Sequence, residues 1–278
     1  MCRWIVVLGF ACFVAVLAGC LPVPTYQVQR SVRVPHAAVP LRTGQPLPGQ
    51  VEVTVGMSSV GDPVKARRGN DAASVEVPER QGRGEFRVRV GRYGELAAVT
   101  ERAFESSSRR LDPTQAPVGP GSPNAFGFAA RRAIPITGDR RWWLGLDAEL
   151  LAWTLPYVEY RTCVENCDGA TLTTVDHDST SVVTLGLGIT PSYREGPLAV
   201  FGGVFVRNHP TIVRKGVEYY EGTEDVERGP LNALVHFGVA YKLGQTLSAL
   251  AIVSQNLMAD PVRYGPTLGM AMSASLGR

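Results

Sequence analysis

The stretch Trp142-Trp143-Leu144-Gly145-Leu146-Asp147-Ala148-Glu149-Leu150 decides how the chain is read. Trp142, Leu144, Leu146, Ala148 and Leu150 fall on one side of a period of two, and Gly145, Asp147 and Glu149 on the other. Successive side chains of a strand point to opposite faces of a sheet, so the pattern predicts a strand with one apolar and one polar face. The same rhythm sets Val183, Leu185, Leu187 and Ile189 against Thr184, Gly186, Gly188 and Thr190, and Val235, Phe237, Val239 and Tyr241 against His236, Gly238 and Lys242. It recurs in Leu268, Met270, Met272, Ala274 and Leu276, and earlier in Val51, Val53, Val55 and Met57 and in Phe86, Val88 and Val90. Helical periodicity is nearly absent from about residue 50 onward.

Connections form a second pattern. Short ones at 92–94, 137–140, 194–197 and 243–245 take turns with long polar ones at 58–82, 105–123, 162–180 and 209–230. Between them lie ten strand candidates: 50–57, 84–91, 95–104, 125–136, 141–161, 181–193, 198–208, 231–243, 246–257 and 264–277. The first two are short, so the count reads as eight or ten, and both are even.

An even number of strands of about ten residues, joined alternately by tight turns and long loops, resembles the superfamily of small outer-membrane barrels. The expected fold is all-β: an antiparallel up-and-down barrel of about 8–10 strands over residues 50–278. Trp142, Trp143, Tyr193 and Tyr241 lie near tight-turn ends and Tyr160 and Tyr264 near the opposite ends, as two interfacial girdles require. The resemblance implies that both chain ends lie in the periplasm and that the interior of so few strands is filled by side chains.

The N-terminus reads separately. A basic start at Arg3 and an apolar run from Trp4 to Ala18 lead into Leu17-Ala18-Gly19-Cys20. The run is shorter than the about 20 residues of a lasting transmembrane helix and has the length of a signal-peptide core. The pattern resembles the lipobox of bacterial lipoproteins. It implies a signal peptide over residues 1–19, lipidation of Cys20, and an outer-membrane address, since Leu21 stands where an aspartate would favour inner-membrane retention. Residues 20–49 hold six prolines and Arg30, Arg33 and Arg42 without an acid, and read as a lipidated, flexible tether beside an anionic membrane.

Of the five cysteines, Cys2 and Cys12 leave with the signal and Cys20 takes the lipid. Cys163 and Cys167 then meet an oxidising compartment, where a disulfide is expected. Asp176-His177-Asp178 follows nearby and is the best metal candidate by residue type. Alternate residues of an extended loop do not converge, and a solvated loop is the expectation. Gly186-Leu187-Gly188 sits inside a strand and opens no helix, so it reads as room for close backbone approach. The chain carries no lysine-bearing phosphate loop, paired-histidine zinc motif or Gly-x-Ser-x-Gly elbow, and no cofactor is expected. A formal net charge of +3 without a basic stripe does not suggest nucleic acid.

Asp147, Glu149, Arg207, His236 and Lys242 are candidates for a lumenal network of opposite charges, since buried charges must be paired. Tyr219, Tyr220 and Glu221 are candidates for contact with an envelope protein partner. The reading is a lipid-anchored outer-membrane barrel serving as envelope scaffold or as subunit of a surface, secretion or motility assembly through its loops, without catalysis. Two rivals stand beside it. One is a barrel enzyme on lipid or peptide with Asp147, Glu149 and His236 converging. The other is a soluble periplasmic lipoprotein, a ligand-binding barrel or sandwich whose outward faces are polar.

Overall fold

The computed structural model of the chain describes residues 25–36, 38–60, 66–67, 73–104, 121–165, 173–208, 210, 213–214, 226–227, 231–257 and 265–277. These hold fifteen strands. The N-terminal part gives β1 (Thr25–Arg33), β2 (Val51–Val60), β3 (Ala66–Arg67), β4 (Ala73–Glu76) and β5 (Arg80–Val90). The middle gives β6 (Gly94–Phe104), β7 (Asn124–Pro135), β8 (Trp142–Glu165), β9 (Thr173–Glu195) and β10 (Leu198–Asn208). The remainder is β11 (Val213–Arg214), β12 (Val226–Glu227), β13 (Leu231–Lys242), β14 (Leu247–Asn256) and β15 (Thr267–Leu276).

Ten strands close a ring. In chain order β2, β5, β6, β7, β8, β9, β10, β13, β14 and β15 each pair with the next, antiparallel throughout. Closure comes from β15 against β2, running from Thr267 opposite Val60 to Leu276 opposite Val51. The count is therefore ten. β2 and β5 run to 10 and 11 residues, longer than their sequence pattern suggested. Tight turns at one end are set by Gly91 and Gly196, both at positive φ (67° and 57°), a region open to glycine at little cost.

The period of two now has a direction. Leu187, Leu185, Phe128, Met270 and Val55 point outward and are 56–68% exposed, while their chain neighbours Gly186, Ala129, Ala271 and Thr54, and with them Glu149 and Arg131, point inward and are buried. A wall that is apolar outside and charged inside is the reverse of a soluble barrel, and it excludes the periplasmic lipoprotein with polar outer faces. It is the architecture of a transmembrane barrel, where a closed sheet satisfies every ladder hydrogen bond within the protein. Trp142 against Tyr193 (ring centroids 4.9 Å) lies in the outward girdle at the tight-turn end, whereas Trp143, expected in the same girdle, is buried on the inward face with Tyr93 against its ring (5.6 Å). Leu187 lies midway along the outward run of β9. Leu187→Arg is expected to cost about 2–4 kcal/mol, the penalty of a charge at mid-bilayer, while Glu195→Arg in the exposed turn costs close to nothing. Urea unfolding of both variants in lipid bilayers checks this.

Above the membrane band two strands carry on. β8 and β9 reach 24 and 23 residues and stay paired to Arg161 opposite Thr173, so much of the segment 162–180, expected as a loop, is strand. Their shared extension gives β1 a place. Thr25 pairs with Glu165 and Val32 with Tyr157, antiparallel, and β4 adds in parallel on the other edge of β1.

This overturns two expectations from the sequence. Because β8 starts at the tight-turn girdle and ends at Glu165, β1 lies at the long-loop end, whereas Leu276 lies at the tight-turn end beside Val51. The two ends of the described chain are on opposite sides of the barrel, not together in the periplasm. Nor are residues 25–49 a solvated tether. After β1 the chain turns into the lumen and descends its length, with Val34, His36, Val39, Leu41, Arg42 and Leu47 all buried. Pro35, Pro40, Pro46 and Pro48 lack the N–H that a ladder needs, so this segment lies inside the sheet without joining it. Side chains alone do not fill the interior; a crossing strand of backbone does.

Candidate functional site

The lumen is built in layers along the descending segment. At the long-loop mouth the Arg33 guanidinium donates to the Gly121 carbonyl. Below it, His36 Nε2 lies 2.7 Å from Ser58 Oγ, and Arg207 donates to the His36 carbonyl at 3.4 Å. Leu41 follows at mid-height against Gly56 and Gly269, where a Cβ on Gly56 would stand 2.2 Å from its Cδ1. Gly44 passes so close to the wall that a Cβ there would meet the Thr190 carbonyl oxygen at 2.2 Å. Near the tight-turn end the Leu47 N–H donates to Glu95 Oε1 (2.9 Å), Arg89 donates to the Leu47 carbonyl, and the Gln50 N–H donates to the Leu276 carbonyl (3.0 Å). Together the layers tie the segment to β2, β5, β6, β9, β10 and β15.

Charge follows the same layers. Arg83 holds Glu85 (2.6 Å), Glu101 and Glu149, and Arg207 adds to Glu149 at 3.7 Å. Arg87 bridges Glu52 (2.6 Å) and Glu85 (3.4 Å), and the Ser275 hydroxyl donates to Glu52. Asp147 is held from two sides, by Arg42 of the inserted segment at 3.0 Å and by Arg131 of the wall at 3.4 Å.

Among the described residues six arginines (33, 42, 83, 87, 131 and 207) and six carboxylates (Glu52, Glu85, Glu95, Glu101, Asp147 and Glu149) are buried. Ions taken from water cost several kcal/mol each unless paired, so such a balance is what a dry lumen requires. The balance depends on the insert: Arg33 and Arg42 come from the N-terminal segment, and the wall by itself is two positive charges short. Apolar residues complete the filling. Trp153, Leu151, Leu155, Phe205 and Leu234 pack inward with Val34, Val39 and Leu41.

The residues singled out by sequence divide as follows. Asp147, Glu149, Arg207 and His236 all face the lumen and are buried. Asp147 and Glu149 go to different arginines, and His236 reaches Asp147 through the hydroxyl of Thr190 (3.5 Å to each) rather than by a direct bond. Lys242 stands apart at the tight-turn mouth, half-buried beside a small cavity of about 90 Å³. Gly186 and Gly188 give the room that the sequence reading assigned them: a Cβ on either would meet the Phe205 ring at 2.5–2.6 Å.

Asp176-His177-Asp178 lies in β9 rather than in a loop. Among the described residues no group of three or more metal-ligating side chains is found. Cys163 lies in β8 with its backbone opposite Tyr26, while Cys167, Cys20, Tyr219, Tyr220 and Glu221 lie outside the described residues.

Sequence reasoning missed Arg42, Arg83, Arg87, Arg131, Glu52, Glu85, Glu95 and Glu101. Several sat in plain view on the polar side of β2 and β5, in Glu52 and Thr54 and in Glu85, Arg87 and Arg89. Once the apolar face is known to point outward, those residues must line the lumen.

No protein-family model matches the chain, and a search of the curated proteins gave no match. Among solved structures the chain is similar to Neisserial surface protein A at 11% identity and a TM-score of 0.35, over 82% of this chain and 97% of that one. The translocator domain of the autotransporter NalP from Neisseria meningitidis gives 9% identity and a TM-score of 0.39, over 87% and 90%. The outer membrane protease OmpT from Escherichia coli gives 8% identity and 0.37, over 92% and 99%. At these identities and scores the likeness carries no function to this chain.

Proposed function

We propose that the protein is a lipid-anchored outer-membrane barrel, closed by its own N-terminal segment, that serves as an envelope scaffold or as a subunit of a surface assembly through its long-loop end. The observation that carries this reading is the buried course of residues 34–49 through the lumen, held by hydrogen bonds and ion pairs from mouth to mouth. A barrel filled in this way does not serve diffusion. Its accessible surfaces are the loops and the extension made by β8, β9 and β1. Catalysis is not part of the reading: Asp147 and Glu149 are each engaged by arginines, and His236 is separated from both.

The same course relocates the anchor. Cys20 precedes Thr25 by five residues, which span at most about 18 Å, less than the apolar band of about 25 Å that separates the two membrane faces. With Thr25 at the far end of β8, Cys20 belongs on the side of the long loops and not on the tight-turn side. The two acyl chains of a diacylglycerol with a third on the amine make such anchoring durable.

An epitope inserted between Leu21 and Thr25 tests this. Antibody is expected to reach it on intact cells, whereas an epitope after Arg278 is reached only once the outer membrane is opened. Incorporation of labelled fatty acid should vanish in Cys20→Ala while the barrel stays in the membrane fraction. An N-terminal epitope that is shielded on intact cells would refute the outward placement.

A further inference from the structure

The outer wall carries one place built differently from the rest. At the long-loop rim most described outward positions are amides or hydroxyls, among them Ser59, Asn124, Thr154, Asn208 and Gln255. On β5 and β6 they are Arg80 and Arg102, both exposed. The register sets Arg80 opposite Phe104 and Gly82 opposite Arg102, so the two guanidinium groups are diagonal neighbours on one face. Glu101, the carboxylate adjoining Arg102, points the other way and is taken by Arg83. Two like charges thus stand together at the level of lipid headgroups.

Directly beneath them the wall is hollow. Gly82, Gly84 and Thr100 form a floor without bulk, Phe104 and Met57 rise beside it, and the groove continues diagonally to Tyr241 at the other girdle, with a volume of about 890 Å³. That size falls within the range of sites for small organic ligands, about 300–1,000 Å³. Phe104 closes over Gly82, where a Cβ would meet its ring at 3.0 Å, and a Cβ on Gly84 would meet the Thr100 methyl at 3.1 Å. Glycine in a strand weakens it, and two alternating glycines on the lipid face leave a trough where other strands present Leu, Phe or Met.

We propose that this is a binding site for an anionic, phosphate-bearing membrane lipid, its phosphate held between Arg80 and Arg102 and an acyl chain laid beside the Phe104 ring and over Gly84 along the groove. Guanidinium groups donate in a fork that matches phosphate oxygens, and their stems lie on apolar surface while the heads reach the interface. The charge of the rim and the shape of the trough recognise the two halves of one molecule.

Native mass spectrometry of the full chain in neutral detergent, offered phosphatidylglycerol or phosphatidylcholine, tests the proposal. The wild type should retain phosphatidylglycerol at least about tenfold better than phosphatidylcholine, a difference of about 1.4 kcal/mol. Arg80→Gln with Arg102→Gln should abolish that preference. Arg132→Gln, an outward arginine nearer the tight-turn end, should leave it intact. Gly84→Leu fills the trough and should weaken retention of phosphatidylglycerol with the arginines untouched. Equal retention by the double glutamine variant would overturn the site. Unchanged retention by Gly84→Leu, or displacement by an equal concentration of inorganic phosphate, would reduce it to a headgroup or free-anion contact and overturn the lipid assignment.

Discussion

Deleting residues 25–48 turns a silent barrel into a conducting one. In planar bilayers the full chain is expected to give no current steps. The shortened chain, shown to be folded by its heat-dependent mobility in gels, is expected to give discrete ones. The deletion takes away the crossing backbone together with Val34, His36, Val39, Leu41 and Arg42, all buried in the lumen, and leaves a wall lined by charged and hydroxylated side chains that water can enter. It also removes Arg33 and Arg42. Six buried carboxylates then face the four buried wall arginines at 83, 87, 131 and 207, so the interior is left with an excess of negative charge. Cations should pass in preference to anions, read from the sign of the reversal potential in a salt gradient. A folded deletion that conducts nothing would show that the wall collapses on itself without the insert, and that the inserted segment is not what closes the barrel.

The second large effect is expected at Arg42. Arg42→Glu places a new carboxylate against Asp147, near Glu85 and Glu95, where an ion pair at 3.0 Å stood. Breaking a buried pair by removing one partner costs about 3–5 kcal/mol, a large part of the about 5–15 kcal/mol that keeps a typical domain folded. A sharp drop in the urea midpoint follows, with little dependence on salt because the site is shielded from solvent. Arg42→Lys should lose less, keeping the charge but not the forked geometry. Arg42→Met with Asp147→Leu should cost less than the sum of its two single changes, since only Arg131 is then left without its carboxylate, where Asp147→Leu alone strands both arginines. Full additivity would mean that the pair does not hold the segment in place.

How much of this was legible in the sequence depends on what kind of signal each part leaves. The strands announce themselves because one face meets lipid and the other does not, and the period of two marks them within a few residues. The direction of that period is invisible: Leu187 beside Gly186 reads the same whether the apolar side is core or membrane. Only the closed ring decides it. Where β8 and β9 leave the membrane the apolar face is no longer needed, so Thr162-Cys163 and Thr173–Ser179 lost their alternation and read as loop although they pair.

The inserted segment was hidden for another reason. Proline, lone arginines and no period describe a tether in water and equally a chain held inside a barrel. The difference lies in partners far along the sequence, such as Asp147 for Arg42 and Glu95 for Leu47, which no local pattern reveals. Asp147, Glu149, Arg207 and His236 were found from the polar face of β8, β10 and β13; the larger part, on β2, β5, β6 and β7, needed the ring to bring it opposite.

The β15–β2 seam has a consequence for the order in which the molecule is made. β2 begins one residue after Gln50, where the inserted segment leaves the lumen, and β15 follows every other ring strand in chain order. At the other end β1 is hydrogen-bonded along β8 outside the ring. Once the seam has zipped, the segment is an axle with a stopper at each end, and β1 would have to be drawn through a narrow polar bore to reach its position. The ring must therefore close around a thread already laid down. The thread, which precedes every ring strand in the chain, waits open to view until the strand that closes the ring locks it in.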